Sequence, residues 1–242
     1  MINFDEGYSF GIGAFETILV NKGECIFLHE HLERLNKALK FLDINKSISK
    51  SEVMNYIDEN NIENNAIKII VSSDNTIYTI RDNPYTSETY KKGFSVISSK
   101  IRVNETSPFT FIKSLNYGIN IIEKRRVSLI GYDEALFLNT KEEICECSTS
   151  NIFFVNNNQI ITPKRECGLL DGVVRRYILS EYNVKEKIIK LGDIDSFSEA
   201  FLTNSLMGIL PVSSIDGHCF HTNNKAERLM EEYSRKFKIN RL

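Results

Sequence analysis

The chain has 242 residues, 42% of them apolar and 26% charged, enough for one large or two modest domains with real cores. A net charge of −2 gives no global pull toward nucleic acid, and five irregularly spaced cysteines fit a reducing compartment better than a disulfide framework. The start, Met1-Ile-Asn-Phe-Asp-Glu6, lacks the basic segment and apolar core of a leader, and no apolar run reaches membrane-spanning length, so the expectation is a cytoplasmic protein with no membrane contact.

A glycine turn, Gly11-Ile-Gly13, feeds the β-branched run Ala14 to Val20, which reads as a strand. A short strand, Cys25 to Leu28, precedes a helix whose Leu28, Leu32, Leu35, Leu39 and Leu42 form one apolar stripe. Beside that stripe runs a second row, Phe27, His31, Arg34, Ala38 and Phe41, which places Arg34 on a half-buried flank. Strands Ala66 to Ser72 and Thr76 to Arg81 follow as a hairpin, then a strand from Gly93 to Ser99. The polar stretch Ile101 to Pro108 reads as a linker, dividing a small domain, residues 1–108, from a larger one, residues 109–242.

The second domain opens on Ser107-Pro-Phe-Thr-Phe-Ile-Lys-Ser-Leu-Asn-Tyr117, where period-two alternation puts Lys113 on the face of Phe109, Phe111 and Leu115. A lysine in apolar surroundings loses its proton more readily, which suits it to act as an amine nucleophile toward an aldehyde; the plain alternative is an edge lysine reaching water. A helix stopping at Gly131 carries Lys124-Arg125-Arg126, read as a solvated face and not an RNA surface. Strands follow at Glu134 to Asn139, Glu143 to Ser148, Ile152 to Val155 and, after a turn at Asn156 to Gln159, Ile160 to Thr162. Gly172 opens a helix bearing Val173, Val174, Tyr177 and Ile178. The strand Ala200 to Thr203 is expected to run through Asn204-Ser-Leu-Met-Gly208 into a helix ending before Pro211. Lys225 to Phe237 reads as an amphipathic helix.

Three features could bind one phosphorylated small molecule: the fork of Arg34, the N–H groups of Val173 and Val174 at a helix start, and the Ser205 hydroxyl at a turn. Taken singly, Arg34 could pair with a surface acid, Gly172 ease a turn and Ser205 cap a helix. Glu146, in the apolar stretch Glu143 to Ser148, wants a cation, either elsewhere in the fold or a protonated pyridine nitrogen. Cys145-Glu-Cys147 has no second pair at zinc spacing, so no metal is expected.

Phe10-Gly-Ile-Gly-Ala-Phe-Glu-Thr17, His31-Leu-Glu-Arg-Leu35, Lys113-Ser-Leu-Asn-Tyr117, Asp133-Glu-Ala-Leu136, Glu146-Cys-Ser-Thr-Ser-Asn-Ile-Phe153, Gly168-Leu-Leu-Asp-Gly-Val-Val-Arg175 and Thr203-Asn-Ser-Leu-Met-Gly208 together resemble the class IV pyridoxal-phosphate-dependent aminotransferase family. That resemblance spans nearly the whole chain in order. It implies an α/β protein of fold-type IV, two α/β domains with the cofactor, pyridoxal 5'-phosphate, in the interdomain cleft, assembled as a homodimer. It also implies that Lys113 bonds the cofactor, Glu146 partners the pyridine nitrogen, and Arg34, Val173, Val174 and Ser205 hold the phosphate. Tyr117, or its neighbour Asn116, approaches the phenolic oxygen. Within the family the likeness is nearest to the lyases that split 4-amino-4-deoxychorismate into 4-aminobenzoate and pyruvate for folate biosynthesis; the alternative is a transaminase of branched-chain or D-amino acids. A small-molecule substrate with two carboxylates needs cations, for which Arg81 and Arg102 are the candidates.

Overall fold

The strand Gly13–Asn21 is the second of a four-stranded antiparallel sheet, in the order Glu24–Cys25, Gly13–Asn21, Ala66–Ser72, Thr76–Arg81, in a computed structural model that describes residues 2–239. One face of this sheet supplies Ala14, Ile18, Ile67 and Ile69 to a core completed by the expected leucine stripe of helix Leu28–Phe41 and by Val53 and Ile57 of helix Lys50–Glu59. The latter begins with a capping box, Ser49 accepting from the Glu52 N–H while the Glu52 carboxylate accepts from the Ser49 N–H. Asp5 stitches the N-terminal helix Glu6–Phe10 to the hairpin turn, accepting from Ser72 Oγ at 2.6 Å, the Asp74 N–H at 3.0 Å and Asn75 Nδ2 at 2.9 Å.

The chain forms two compact units, Met1–Pro84 with Ile112–Gly118 and Tyr85–Phe111 with Ile119–Leu242. The division differs from the one expected at residue 108. Ile101 to Val103 are the end of a ten-residue strand, Phe94–Val103, and the Lys113 segment returns to the first unit. That segment is not a strand either. Pro108–Phe111 is a short 3-10 turn, set up by hydrogen bonds from the Ser107 N–H and Thr110 Oγ1 to the Asn104 carbonyl, and only Ser114 makes a bridge, with Ala14. Phe109, Phe111, Lys113 and Leu115 are consequently all half-buried and do not form one interior row.

The second unit holds a mixed nine-stranded sheet. Its path runs Val184–Lys187, Gln159–Pro163, Asn151–Asn156, Glu199–Asn204, Gly208–Ile215, Phe94–Val103, Glu134–Asn139 and Ile144–Cys147, with His218–Cys219 added beside Gly208–Ile215. Asn157 and Asn158 both take positive φ, which fits the expected asparagine turn to the twist of its two strands. The helix expected before Pro211 is absent: Ser205 to Met207 make a tight turn and the chain doubles back as strand Gly208–Ile215. Gly208, at φ 62°, takes the left-handed conformation that such a hairpin needs, and Asn204 Oδ1 accepts from the Leu206 and Met207 N–H groups at 2.9 and 2.8 Å. Helix Asn224–Lys236 packs against this hairpin, its first N–H groups donating to the buried Glu199 carboxylate. Nor is the basic run one solvated face. On helix Gly118–Leu129, Lys124 reaches the buried Glu134 and Arg126 forks onto Glu123. Among the described residues, no helix is long and apolar enough to cross a membrane.

Candidate active site

Lys113 reaches its place because its segment lies along strand Gly13–Asn21. The Lys113 carbonyl accepts from the Phe15 N–H at 2.9 Å, and the Leu115 N–H donates to the Gly13 carbonyl at 2.9 Å. Gly13 permits this approach: a Cβ there would stand 2.6 Å from both Leu115 Cδ1 and the Val71 carbonyl. The Lys113 amine lies over two aromatic rings, 4.5 Å from the Phe15 centroid and 5.0 Å from that of Tyr117. Of the two neighbours offered for the cofactor's phenolic oxygen, Tyr117 is the one beside the amine. The Asn116 amide is turned away and donates to the Gly11 carbonyl at 3.1 Å.

Arg34 lies on the half-buried flank expected, but its partner is an interior acid. Glu16, with no exposure, accepts from Arg34 Nε at 2.6 Å and Nη2 at 2.8 Å, and His31 Nδ1 lies 2.7 Å from the same carboxylate. Burial by itself raises a carboxyl's pKa; here the Arg34 charge and the hydrogen bonds from both partners outweigh it and hold Glu16 well below the usual carboxylate range. Burial lowers the pKa of His31 despite the adjacent carboxylate, so the ring is neutral and donates from Nδ1, while Nε2 is buried with no hydrogen-bond partner.

Lys68 is a cation that sequence reading passed over. From strand Ala66–Ser72 its amine sits 4.4 Å from the centroid of the same Phe15 ring that Lys113 covers. Burial, with the charge of Arg81 in support, lowers its pKa. Alternating registers put Phe15, Lys68 and Arg81 on one face of the sheet, opposite the leucine-packed core. Arg102, by contrast, is committed. Its Nε and Nη2 fork onto Glu142 at 2.6 and 2.7 Å, and Nη1 donates to the Ser99 carbonyl.

In the second unit one asparagine organises the remaining groups. Asn151 Nδ2 donates to Glu146 Oε2 at 2.9 Å and to the Leu170 carbonyl at 2.8 Å, while the Leu170 N–H donates to Glu146 Oε1 at 3.1 Å. Two residues on, Gly172 precedes helix Val173–Glu181 with no side-chain cap. Asn151 Oδ1 lies only 2.0 Å from where a Gly172 Cβ would be, so the helix start is drawn against the side chain that holds Glu146. Ser205 stands half-buried in the turn that Asn204 fastens.

Residues 13–215 match the family model for class IV amino-transferases. The chain belongs to that family. Aminodeoxychorismate lyase of Bacillus subtilis (strain 168) is 30% identical, over 88% of this chain and 80% of its own length. A putative branched-chain-amino-acid aminotransferase of Methanocaldococcus jannaschii is 28% identical, over 97% of this chain and 89% of its own. Among solved structures, a putative 4-amino-4-deoxychorismate lyase of Legionella pneumophila superposes with a TM-score of 0.86 at 28% identity, covering 96% of this chain and 95% of that one. The expected fold-type IV architecture and the family's pyridoxal phosphate cofactor follow from membership. Glu16, Lys68 and Asn151 had no separate signal in the sequence: Glu16 and Asn151 lie inside quoted family motifs, but nothing there distinguishes them as partners of Arg34 and Glu146.

Proposed function

We propose that this enzyme is an aminodeoxychorismate lyase, splitting 4-amino-4-deoxychorismate into 4-aminobenzoate and pyruvate. The observation that carries the substrate choice is the pair Lys68 and Arg81. Both lie on the face of Phe15, and neither has an acidic partner among the described residues, so two cations are available to a substrate bearing two carboxylates. Arg102, forked onto Glu142, drops out of that role.

The side chains present suit the family's cofactor: a half-buried primary amine, a carboxylate anchored at both oxygens, and a helix start drawn close by glycine. Lys113 would bond its aldehyde carbon, with Tyr117 at its phenolic oxygen and Asn116 serving the backbone. Glu146 would keep the proton on its ring nitrogen, and Arg34, the N–H groups of Val173 and Val174, and Ser205 would hold its phosphate. When bound, pyridoxal phosphate supplies an electron sink for charge developing at the carbon that bears the substrate's amine. Displaced from the aldehyde carbon by the substrate's own amine, the Lys113 amine would be free to remove the proton from the amine-bearing carbon as the neighbouring carbon–oxygen bond breaks, and to return a proton to the methylene of the departing enolpyruvate. Atoms balance without an added oxidant, and the new aromatic ring makes the step downhill. Apolar side chains more than half exposed on helix Gly118–Leu129 (Ile119, Ile122, Leu129) support a homodimer, and five free thiols support a cytoplasmic setting.

The branched-chain relatives sustain a second reading, transamination. Incubation with 4-amino-4-deoxychorismate should release 4-aminobenzoate and pyruvate in equal amounts, while branched-chain or D-amino acids with 2-oxoglutarate turn over slowly or not at all. Turnover confined to the amino acids would overturn the lyase reading and leave the transaminase.

A further inference from the structure

The motif Asp133-Glu-Ala-Leu136 has no part in the chemistry above, yet its glutamate is an expensive residue. Glu134 has no exposure and opens a strand, Glu134–Asn139, that is buried throughout. A carboxylate so placed needs every acceptor site used. Lys124 Nζ donates to Oε2 at 3.0 Å and to the Asp133 carbonyl at 2.5 Å, and burial, which opposes the Lys124 charge, is outweighed by this carboxylate. The other donors come from one place. Ser148 Oγ donates to Oε1, and Thr149 Oγ1 and Ser150 Oγ lie 2.9 and 3.4 Å from Oε2.

Those three consecutive hydroxyls form the turn between the strand that carries Glu146 and the strand that begins at Asn151. The Ser150 carbonyl closes it by accepting from the Cys147 N–H at 2.7 Å, and the Ser148 N–H donates to the Ala135 carbonyl at 2.9 Å. From the far side, Asn204 Nδ2 donates to the Thr149 carbonyl at 3.3 Å while its Oδ1 holds the Leu206 and Met207 N–H groups of the Ser205 turn. One buried carboxylate therefore pins the segment joining Glu146 to Asn151, and that segment is tied to the Ser205 turn.

We propose that Glu134 is a positioning residue for the cofactor, setting the Glu146–Asn151 pair against the ring nitrogen and, through Thr149 and Asn204, the Ser205 turn against the phosphate. The inference rests on the roles proposed for Glu146 and Ser205. Its consequence is that the nitrogen anchor and the phosphate turn share one brace, so a disturbance at Glu134 reaches both.

The test titrates pyridoxal phosphate into apoprotein of wild type, Glu134→Gln, Thr149→Val and Glu146→Gln. It follows the dissociation constant and the absorption band of the bound cofactor from pH 6 to 9, with apoprotein melting as the structural reference. Glu134→Gln is expected to weaken cofactor binding by about tenfold or more and to shift the pH response of the band in the direction that Glu146→Gln shifts it. Thr149→Val, which loses one hydroxyl contact and keeps the Lys124 pair, should move both readouts the same way by a few fold, and it decides the matter if Glu134→Gln does not fold. A merely structural Glu134 would lower apoprotein melting while affinity and band stay as in wild type in every variant that folds, and that result overturns the proposal. If Glu146→Gln itself leaves the band unchanged, it is the ring-nitrogen reading that fails, an outcome distinct from the first.

Discussion

Arg34 serves two masters. Its guanidinium neutralises Glu16, which is wholly buried, and the same side chain is proposed to hold the cofactor's phosphate. The two duties can be separated by a double-mutant cycle. Arg34→Ala should destabilise the apoprotein by about 3 kcal/mol, because it strands a buried carboxylate beside a neutral histidine, and should weaken cofactor binding by tenfold or more. Adding Glu16→Gln removes the stranded charge, so urea unfolding should recover much of the lost stability while the cofactor titration stays weak. Recovery of affinity along with stability would mean that Arg34 serves Glu16 alone. The sequence disclosed Arg34's flank through its helical row, but it could not disclose Glu16. Strand Gly13–Asn21 is buried on both faces, so alternation carries no contrast there, and the hydrogen-bond donors that stabilise Glu16 come from a separate helix.

Among the elements, the start of helix Val173–Glu181 is where the fit is closest. Gly172 has φ −64° and ψ 144°, values open to any residue, so its lack of a side chain answers to space and not to backbone freedom. Gly172→Ala would drive a methyl into Asn151 Oδ1 and displace the amide that holds Glu146 and the Leu170 carbonyl. Cofactor affinity should fall by about tenfold, with a stability cost of about 1–3 kcal/mol for the overpacking. An alanine variant that binds pyridoxal phosphate as tightly as wild type would show that the close approach has no part in the cradle. Elements with a regular period were legible in advance. The hairpin of Ala66–Ser72 and Thr76–Arg81 and the leucine helix sit where alternation and the 3.6-residue repeat place them. The Lys113 segment and the Ser205 turn were not, for one shared reason: side-chain and backbone hydrogen bonds, from Thr110 to Asn104 and from Leu206 to Asn204, fold them locally in ways no hydrophobic period records.

For the molecule as a whole, the buried cluster of Glu16, His31 and Arg34 sets how stability responds to pH. The native pKa of His31 is held below its ordinary value of 6.5 by burial, with the Arg34 and Lys113 charges in support against the pull of Glu16, so over the window just under 6.5 the unfolded chain takes a proton that the folded chain refuses. Stability therefore falls as pH drops through that window, by at most about 1.4 kcal/mol per pH unit for a single proton. Glu16 acts in the same direction at lower pH. Its depressed pKa gives stability that is fully present above the ordinary value of 4.5 and is lost as pH falls toward the native one; Asp5, held low chiefly by its hydrogen bond from Ser72, behaves likewise below 3.8. The step nearest neutrality belongs to His31. In His31→Asn an uncharged amide can still donate to Glu16, so urea midpoints measured from pH 8 to 5 should lose the decline that wild type shows below about 6.5 and keep the steeper acid limb. An unchanged decline in that variant would mean that His31 is not its cause, and a steeper one that His31 is protonated in the native protein as an ion pair with Glu16; either result would overturn the neutral ring in this cluster.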